Sequence, residues 1–259
     1  MVSSHPYLDA PLPLALAHRG GALLPVNGGL ENTLAAFTNA VELGYRYLET
    51  DVHASRDGVV YAFHDEHLGR LTGVDTPLAD LTAEEVDAVR VAGKEPVPRL
   101  TTLLEALPHA RFNIDVKSDA AVVPTVEVIR AAGAQGRVCL ASFSGRRLDR
   151  VRRLCPEAAR SAGPLEVAAL RLGPVAAVRR YAARRGVHCL QVPVRRGPVT
   201  IVTPRFVRHA HATGLQVHVW TVDDPDEMRY LLDIGVDGIV TDRPDVLRDV
   251  LTERGAWPR

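Results

Sequence analysis

The sequence predicts a single (β/α)8 barrel of the TIM type, and three observations carry that prediction. Eight short apolar runs alternate with amphipathic stretches, the pattern of parallel strands joined by helices. The chain has 259 residues, 46% of them apolar, enough to bury one large core. The alternation breaks once, after the second strand, where a β-hairpin and a small insertion at about residues 65–98 interrupt it. A doubly wound open sheet shares the alternation, but eight strands interleaved with helices point to closure. One domain, 1–259, is therefore expected.

Leu14–Ala17 reads as the first strand, ending at His18-Arg19-Gly20. Asn32–Leu43 places Leu34, Ala35, Phe37, Ala40 and Val41 at helical spacing and stops at Gly44. Tyr45–Asp51 is the second strand, and Val59–Phe63 follows after only Ser55-Arg56-Asp57-Gly58. A parallel neighbour needs a crossover of about a dozen residues. Asp-Gly is instead a hairpin signal, so Val59–Phe63 runs back antiparallel. With Asp57-Gly58 as a two-residue turn, His64 falls opposite Asp51. The later strands are Arg111–Val116, Val138–Ser142, Ala158–Ala162, Val187–Val192, Leu215–Trp220 and Gly238–Thr241.

Composition narrows the partners. Thirty-one basic residues balance 31 acidic ones, which gives no broad attraction to nucleic acid or to an anionic membrane. No run of about 18 apolar residues is present, so stable membrane insertion is not expected. Cys139, Cys155 and Cys189 are odd in number and widely spaced, which suits small core residues in a reducing compartment. The first twenty residues lack a cationic segment followed by a long apolar one, and the cytoplasm is the expected location. The arginine-dense stretch Arg146–Arg153 reads as a solvated helix face. Oligomeric state is not legible.

Barrel active sites lie at the C-terminal ends of the strands, and the ionisable residues of this chain gather there. His18 and Arg19 close the first strand, Glu49 and Asp51 share one face of the second, and the hairpin returns His64-Asp65. Asp115 and Lys117 share one face of the third. Buried carboxylates are costly unless paired or metal-bound, and three of them without a cysteine cluster favour a hard divalent cation, Mg2+ or Ca2+. Two imidazoles beside such a site suit proton transfer, while Arg19 and Lys117 suit phosphate oxygens. These parts make phosphodiester hydrolysis the leading reading. Other metal-assisted chemistry on a sugar phosphate and a non-catalytic phospholigand-binding barrel are the alternatives.

At these residues the sequence resembles the glycerophosphodiester phosphodiesterase family. The matching segments are His18-Arg19-Gly20, Glu31-Asn32-Thr33, Glu49-Thr50-Asp51-Val52, Asp57-Gly58, His64-Asp65, Leu71-Thr72-Gly73, Asn113 to Lys117, Val219 to Val222 and Gly238 to Pro244, in the family's order. The resemblance implies hydrolysis of small glycerophosphodiesters to glycerol 3-phosphate and an alcohol. It implies His18 and His64 as general acid and base, and Glu49, Asp51 and Asp115 as ligands of one divalent cation. Arg19 and Lys117 would bind phosphate, Glu31 and Asn32 would line and order the site, and Trp220 and Phe143 would wall the substrate. Asp115 stands where the family commonly has Glu, and Leu30 where it often has Pro. The resemblance also assigns the insertion to the alcohol end of the substrate.

Overall fold

The computed structural model describes residues 5–257; residues 1–4 and 258–259, the outermost of the predicted domain, lie outside it. Strands β1 (Leu14–His18), β2 (Tyr47–Ala54), β4 (Arg111–Val116), β5 (Val138–Ala141), β6 (Ala159–Arg160), β7 (Cys189–Pro193), β8 (Gln216–Trp220) and β9 (Gly238–Thr241) form the parallel set, and β3 (Val60–Ala62) is the antiparallel return on β2. Neighbours run β6-β5-β4-β2-β1-β9-β8-β7. Closure comes from the last pair: Ala162 N–H donates to Cys189 O at 2.9 Å and His188 N–H to Arg160 O at 2.9 Å, and Ser161 bridges Cys189 in parallel. The sheet is thus an eight-stranded barrel, as predicted.

Register arranges its interior in layers. Tyr47 lies beside Arg111, Glu49 beside Asn113 and Asp51 beside Asp115, while His18 lies beside Glu49. These residues alternate with Leu48, Val52, Phe112, Ile114 and Val116, which pack outward against the helices. The bottom of the barrel is closed by Tyr7, whose carbonyl accepts from Tyr47 Oη at 2.7 Å and from Arg111. Cys139 and Cys189 are buried free thiols in the same layer, with their sulfurs 3.9 Å apart. The carboxylates of the interior, Glu49, Asp51 and Asp115, stand above this layer toward the C-terminal ends of the strands.

Helix α1 (Leu34–Glu42) is capped by Thr33, whose hydroxyl accepts from Ala36 N–H, two residues later than the pattern suggested because Asn32 and Thr33 belong to the cap. It sits hard on the loop after β1. A Cβ at Gly20, at φ +83°, would come within 2.8 Å of the Ala36 carbonyl carbon, so only glycine lets helix and loop approach this closely. Helices α4 (Leu100–Ala106) and α5 (Val122–Ala131) flank β4, and arginines 146, 147, 150, 152 and 153 lie on the next helix, α6 (Gly145–Leu154), whose Leu148 and Val151 face the core. No described helix is long and apolar enough to cross a membrane.

The hairpin forms, but one residue out of the predicted register. Val52 pairs with Ala62, and Phe63, not His64, donates its N–H to Asp51 O at 2.9 Å. The connection is a longer turn: Gly58, at φ +87°, donates to Ser55 O, and Ser55 N–H donates to Val59 O. Residues 56–58 are thus a three-residue loop with Gly58 in the left-handed position, and the Asp57 carboxylate braces it by accepting from Ser55 Oγ and Ala83 N–H. Beyond it, residues 65–98 fold into α2 (Gly69–Thr72), α3 (Ala83–Ala88) and a hairpin of Arg90–Val91 on Glu95–Pro96. This insertion has its own small core of Tyr61, Phe63, Leu68, Leu78, Val86, Val91 and Val97.

On the opposite side, α7 (Pro164–Leu172) is held to the barrel by a buried ion pair. Arg160 on β6 forks onto Glu166, with Nη1 to Oε2 at 2.8 Å and Nη2 to Oε1 at 3.1 Å, and Gly163 N–H also donates to Glu166. Burial raises the Glu166 carboxyl, but Arg160 and the Gly163 amide outweigh it and hold it below its ordinary 4.5. A lowered folded value means stability that is present above about pH 4.5 and is lost as pH falls through the lowered value. Glu166→Gln is expected to cost roughly 3 kcal/mol near neutral pH, because Arg160 stays buried without a counter-charge. In urea melts the deficit should shrink as pH falls below about 4, whereas a deficit independent of pH would contradict this account.

Candidate active site

His18, Arg19, Glu49, Asp51, His64, Asp115 and Lys117 all line one cavity of about 950 Å3 at the C-terminal end of the barrel, with Phe143 and Trp220 in the same wall. The strand-end rule explains their convergence: β1, β2 and β4 deliver six of them and the return of β3 delivers His64. Glu31 and Asn32 lie behind this wall, not in it. Asn32 Nδ2 donates to Asp51 Oδ2 at 3.4 Å and its Oδ1 accepts from Thr50 Oγ1 at 2.7 Å. Glu31 accepts from Arg19 Nη1 at 2.9 Å. They order the site without lining it, because their polar atoms are turned to protein partners.

Arg19 and Asn32 both adopt positive φ, +51° and +60°. Such a backbone costs of order 1 kcal/mol at a non-glycine residue and persists only where neighbours impose it. Here Arg19 N–H donates to the Glu49 carbonyl and carboxylate, and Asn32 N–H donates to Arg19 O at 2.9 Å. The turn thereby aims the Arg19 guanidinium across the barrel mouth, where Nε lies 3.2 Å from Asp51 Oδ2.

Three carboxylates meet two permanent cations. Lys117 Nζ bridges Asp51 Oδ1 and Asp115 Oδ2, each at 2.8 Å. Burial pushes the Asp51 carboxyl up, but Lys117 and Arg19 overcome it and hold it low. Burial likewise acts against the Lys117 ammonium, and the two aspartates outweigh it and raise it. Glu49 is less well matched: burial, reinforced by Asp51, outweighs the pull of His18 and Arg19 and pushes it up to about 8. Burial also raises Asp115 despite Lys117, and Asp115 Oδ1 is buried with no hydrogen-bond partner. Among the described residues no three His, Cys, Asp or Glu side chains are already spaced around one point as a metal site. The donor set nonetheless fits a hard cation, since it offers an unpartnered carboxylate oxygen and a carboxylate short of positive charge.

Each imidazole is held through Nδ1 by a carboxylate. Asp242, just past β9, lies 2.7 Å from His18 Nδ1, and Asp65 lies 2.6 Å from His64 Nδ1. His18 Nε2 looks toward Glu49 Oε2 at 3.6 Å. Burial lowers the His18 imidazole, but Glu49 and Asp242 reverse this and leave it raised above 6.5. A neutral imidazole that donates Nδ1–H to a carboxylate presents Nε2 as a base, and the protonated ring presents an acid. Sequence reasoning assigned no role to Asp242, although its place after the last strand was the available signal.

Arg70, from the insertion, was not anticipated at all. Its Nη1 and Nη2 fork onto Glu31 at 3.0 and 2.7 Å, and its Nε donates to Asp65 Oδ2 at 2.6 Å. Asp65 in turn holds His64, and Glu31 holds Arg19, so one guanidinium links the supports of an imidazole and of a phosphate-binding candidate. No spacing rule predicts a contact across 39 residues. The remaining cavity wall was also illegible. It runs past Phe143 and Trp220, whose rings meet edge to face at 5.7 Å, to α7 and to a hairpin of Arg195–Arg196 on Val199–Thr200. No residue of 65–98 lines the cavity, and the insertion reaches the site through the contacts of Arg70.

Fold and site together define a barrel enzyme of the phosphodiester-cleaving class. Residues 18–246 match the glycerophosphoryl diester phosphodiesterase family, and the chain belongs to it. It is 45% identical over 249 residues to "Probable glycerophosphodiester phosphodiesterase 2" of Mycobacterium tuberculosis, covering 94% of this chain and 92% of that one. It is 28% identical over 257 residues to the glycerophosphodiester phosphodiesterase of Caldanaerobacter subterraneus, covering 93% and 99%. Among solved structures, the glycerophosphodiester phosphodiesterase of Agrobacterium tumefaciens superposes with a TM-score of 0.77 at 26% identity, over 93% of this chain and all of that one. The fold is also shared with an Oleispira antarctica phosphodiesterase in complex with sn-glycerol-3-phosphate, at a TM-score of 0.78 and 23% identity, over 93% and 97%.

Loss of the Arg70 fork tests the linkage. Arg70→Gln should lower kcat about tenfold with little change in KM, since it loosens His64 and Arg19 without removing either. Arg70→Lys should recover only part of the loss, because an ammonium cannot fork. Full activity in Arg70→Gln would show that the contacts are incidental.

Proposed function

We propose that the protein hydrolyses glycerophosphodiesters to glycerol 3-phosphate and an alcohol, with His18 and His64 as general acid and base and one divalent cation held by Glu49, Asp51 and Asp115. The observation that carries the reading is the pair of carboxylate-oriented imidazoles facing one cavity that also contains three buried carboxylates, Arg19 and Lys117. The sn-glycerol-3-phosphate in the Oleispira antarctica structure belongs to that protein, and it names the product expected here.

When bound, Mg2+ or Ca2+ supplies positive charge against the phosphoryl oxygens. Arg19 and Lys117 position and charge-match the same oxygens, Arg19 as a fork and Lys117 as a point charge. One imidazole takes a proton from the attacking oxygen at Nε2. The other gives a proton from Nε2 to the leaving alkoxide as the P–O bond breaks. The attacking oxygen is either water or the neighbouring glycerol hydroxyl. In the second route water then opens the cyclic phosphate, and both routes consume one water overall. Asp242 and Asp65 keep each ring in the orientation that exposes Nε2. Trp220 and Phe143 supply an apolar wall that shields the substrate from bulk water.

The test is turnover of glycerophosphoglycerol and glycerophosphocholine by the purified protein with Mg2+ or Ca2+, followed by a chelator. Activity should be abolished by the chelator and restored by added cation. His18→Ala and His64→Ala should each lose roughly 10²–10⁴-fold in kcat, the usual contribution of a positioned acid or base. Hydrolysis indifferent to the chelator would remove the cation from the mechanism. Wild-type rates in either His variant would remove that residue from it.

A further inference from the structure

The cavity is much larger than a phosphate and a glycerol require, and its two halves carry opposite kinds of charge. In the half beneath β1, β2 and β4 every cation is matched: Arg19 by Glu31 and Asp51, and Lys117 by Asp51 and Asp115. The half beyond Phe143 and Trp220 is different. Three arginines line it, Arg171 from α7 and Arg195 and Arg196 from the hairpin after β7. Among the described residues none of these guanidiniums has a carboxylate or hydrogen-bond partner. The cavity wall carries carboxylates only at Glu49, Asp51 and Asp115, all in the first half. Glu166, the acidic residue of α7, is turned away and consumed by Arg160, Tyr181 and Gly163. The rest of this wall is apolar: Pro164, Val167, Pro193, Val199 and Ile201. Apolar walls concentrate the field of uncompensated charges on whatever enters.

Resting on the proposed phosphodiesterase reading, we infer that this half of the cavity selects the leaving alcohol, and that it takes an alcohol bearing its own anionic group, a phosphate monoester above all. A glycerophosphodiester has two arms on phosphorus. The glycerol arm is neutral and gives three free guanidiniums nothing to pair with, so they serve the other arm. Guanidinium forks match phosphate geometry better than any other cation. A cationic alcohol such as choline finds no free carboxylate here. Of the two aromatic faces in the wall, Phe143 already has Lys117 Nζ 5.6 Å from its ring centroid, and Trp220 is packed edge to face against Phe143 at 5.7 Å. The hydrolysis is balanced as before: water adds to phosphorus, the P–O bond to the alcohol breaks, and the alcohol takes the proton and leaves with its second phosphate intact.

The experiment compares kcat/KM for three diesters with the cation-loaded protein: glycerophosphocholine, glycerophosphoglycerol, and glycerophosphoglycerol carrying a terminal phosphate. The phosphorylated diester should exceed the neutral one by about tenfold at low salt, the sum of three modest exposed contacts, and the choline diester should rank last. In the R171Q/R195Q/R196Q variant the ratio of phosphorylated to neutral substrate should fall to near one. Should that variant fail to fold, raising salt on the wild type should compress the same ratio. A choline diester turned over as well as the phosphorylated one, or a ratio unchanged by both the variant and salt, would overturn the inference. Turnover of the neutral diester alone would sink this inference and leave the phosphodiesterase reading standing. Turnover of none of the three would sink that reading itself.

Discussion

Carboxylates crowded into a barrel mouth are the constraint around which this molecule is arranged. Asp51 and Asp115 are direct neighbours across β2 and β4, and Glu49 lies one layer below on the same inward face. Side chains so placed cannot all stay ionised without positive charge nearby. Lys117 and Arg19 provide two such charges, while burial and Asp51 push the third carboxylate, Glu49, up to about 8 against the pull of His18 and Arg19. The strained turns at Arg19 and Asn32, the tight seat of α1 on Gly20 and the Glu31–Arg70 fork all serve to hold positive charge against these acids. On the proposed reading a divalent cation would complete the balance, and the same charge is what a phosphodiester needs at the transition state.

Charge is also what separates the two ends of the cavity. Near the barrel strands every cation is engaged with an acid, so specificity there is geometric. At Arg171, Arg195 and Arg196 no partner is present among the described residues, so on the inference drawn above specificity there is electrostatic. The division has a structural origin: Arg160 and its neighbours draw the one acidic side chain of α7 away from the cavity. A buried pair whose net contribution to stability is small can still decide which charge a binding wall presents.

Much of this was legible in the sequence, for reasons that differ by element. Strands β1, β2 and β4 were readable because burial on both faces demands continuous apolar runs broken only where catalysis needs polar groups. The catalytic candidates followed from the strand-end rule. The hairpin was foreseen but misregistered by one residue, because an Asp-Gly pair serves a three-residue loop with a left-handed glycine as readily as a two-residue turn. Glu31 and Asn32 were placed in the wall when they stand behind it. Arg70 and the cavity-lining Arg171, Arg195 and Arg196 were not found, since contacts made only in the folded chain leave no periodic trace. The Gly197-Pro198 turn signal within the unforeseen hairpin was present and unused.

The central claim is that Glu49, Asp51 and Asp115 share one hard cation beside the two imidazoles. The most direct measurement is a crystal structure of the protein soaked with Mn2+ and glycerol 3-phosphate, with the metal located by anomalous scattering. One peak is expected, within about 2.5 Å of an oxygen from each carboxylate, with Lys117 displaced from its bridge toward the phosphate. Carboxylates that point apart with no metal peak among them, at a concentration where the protein is active, would contradict it.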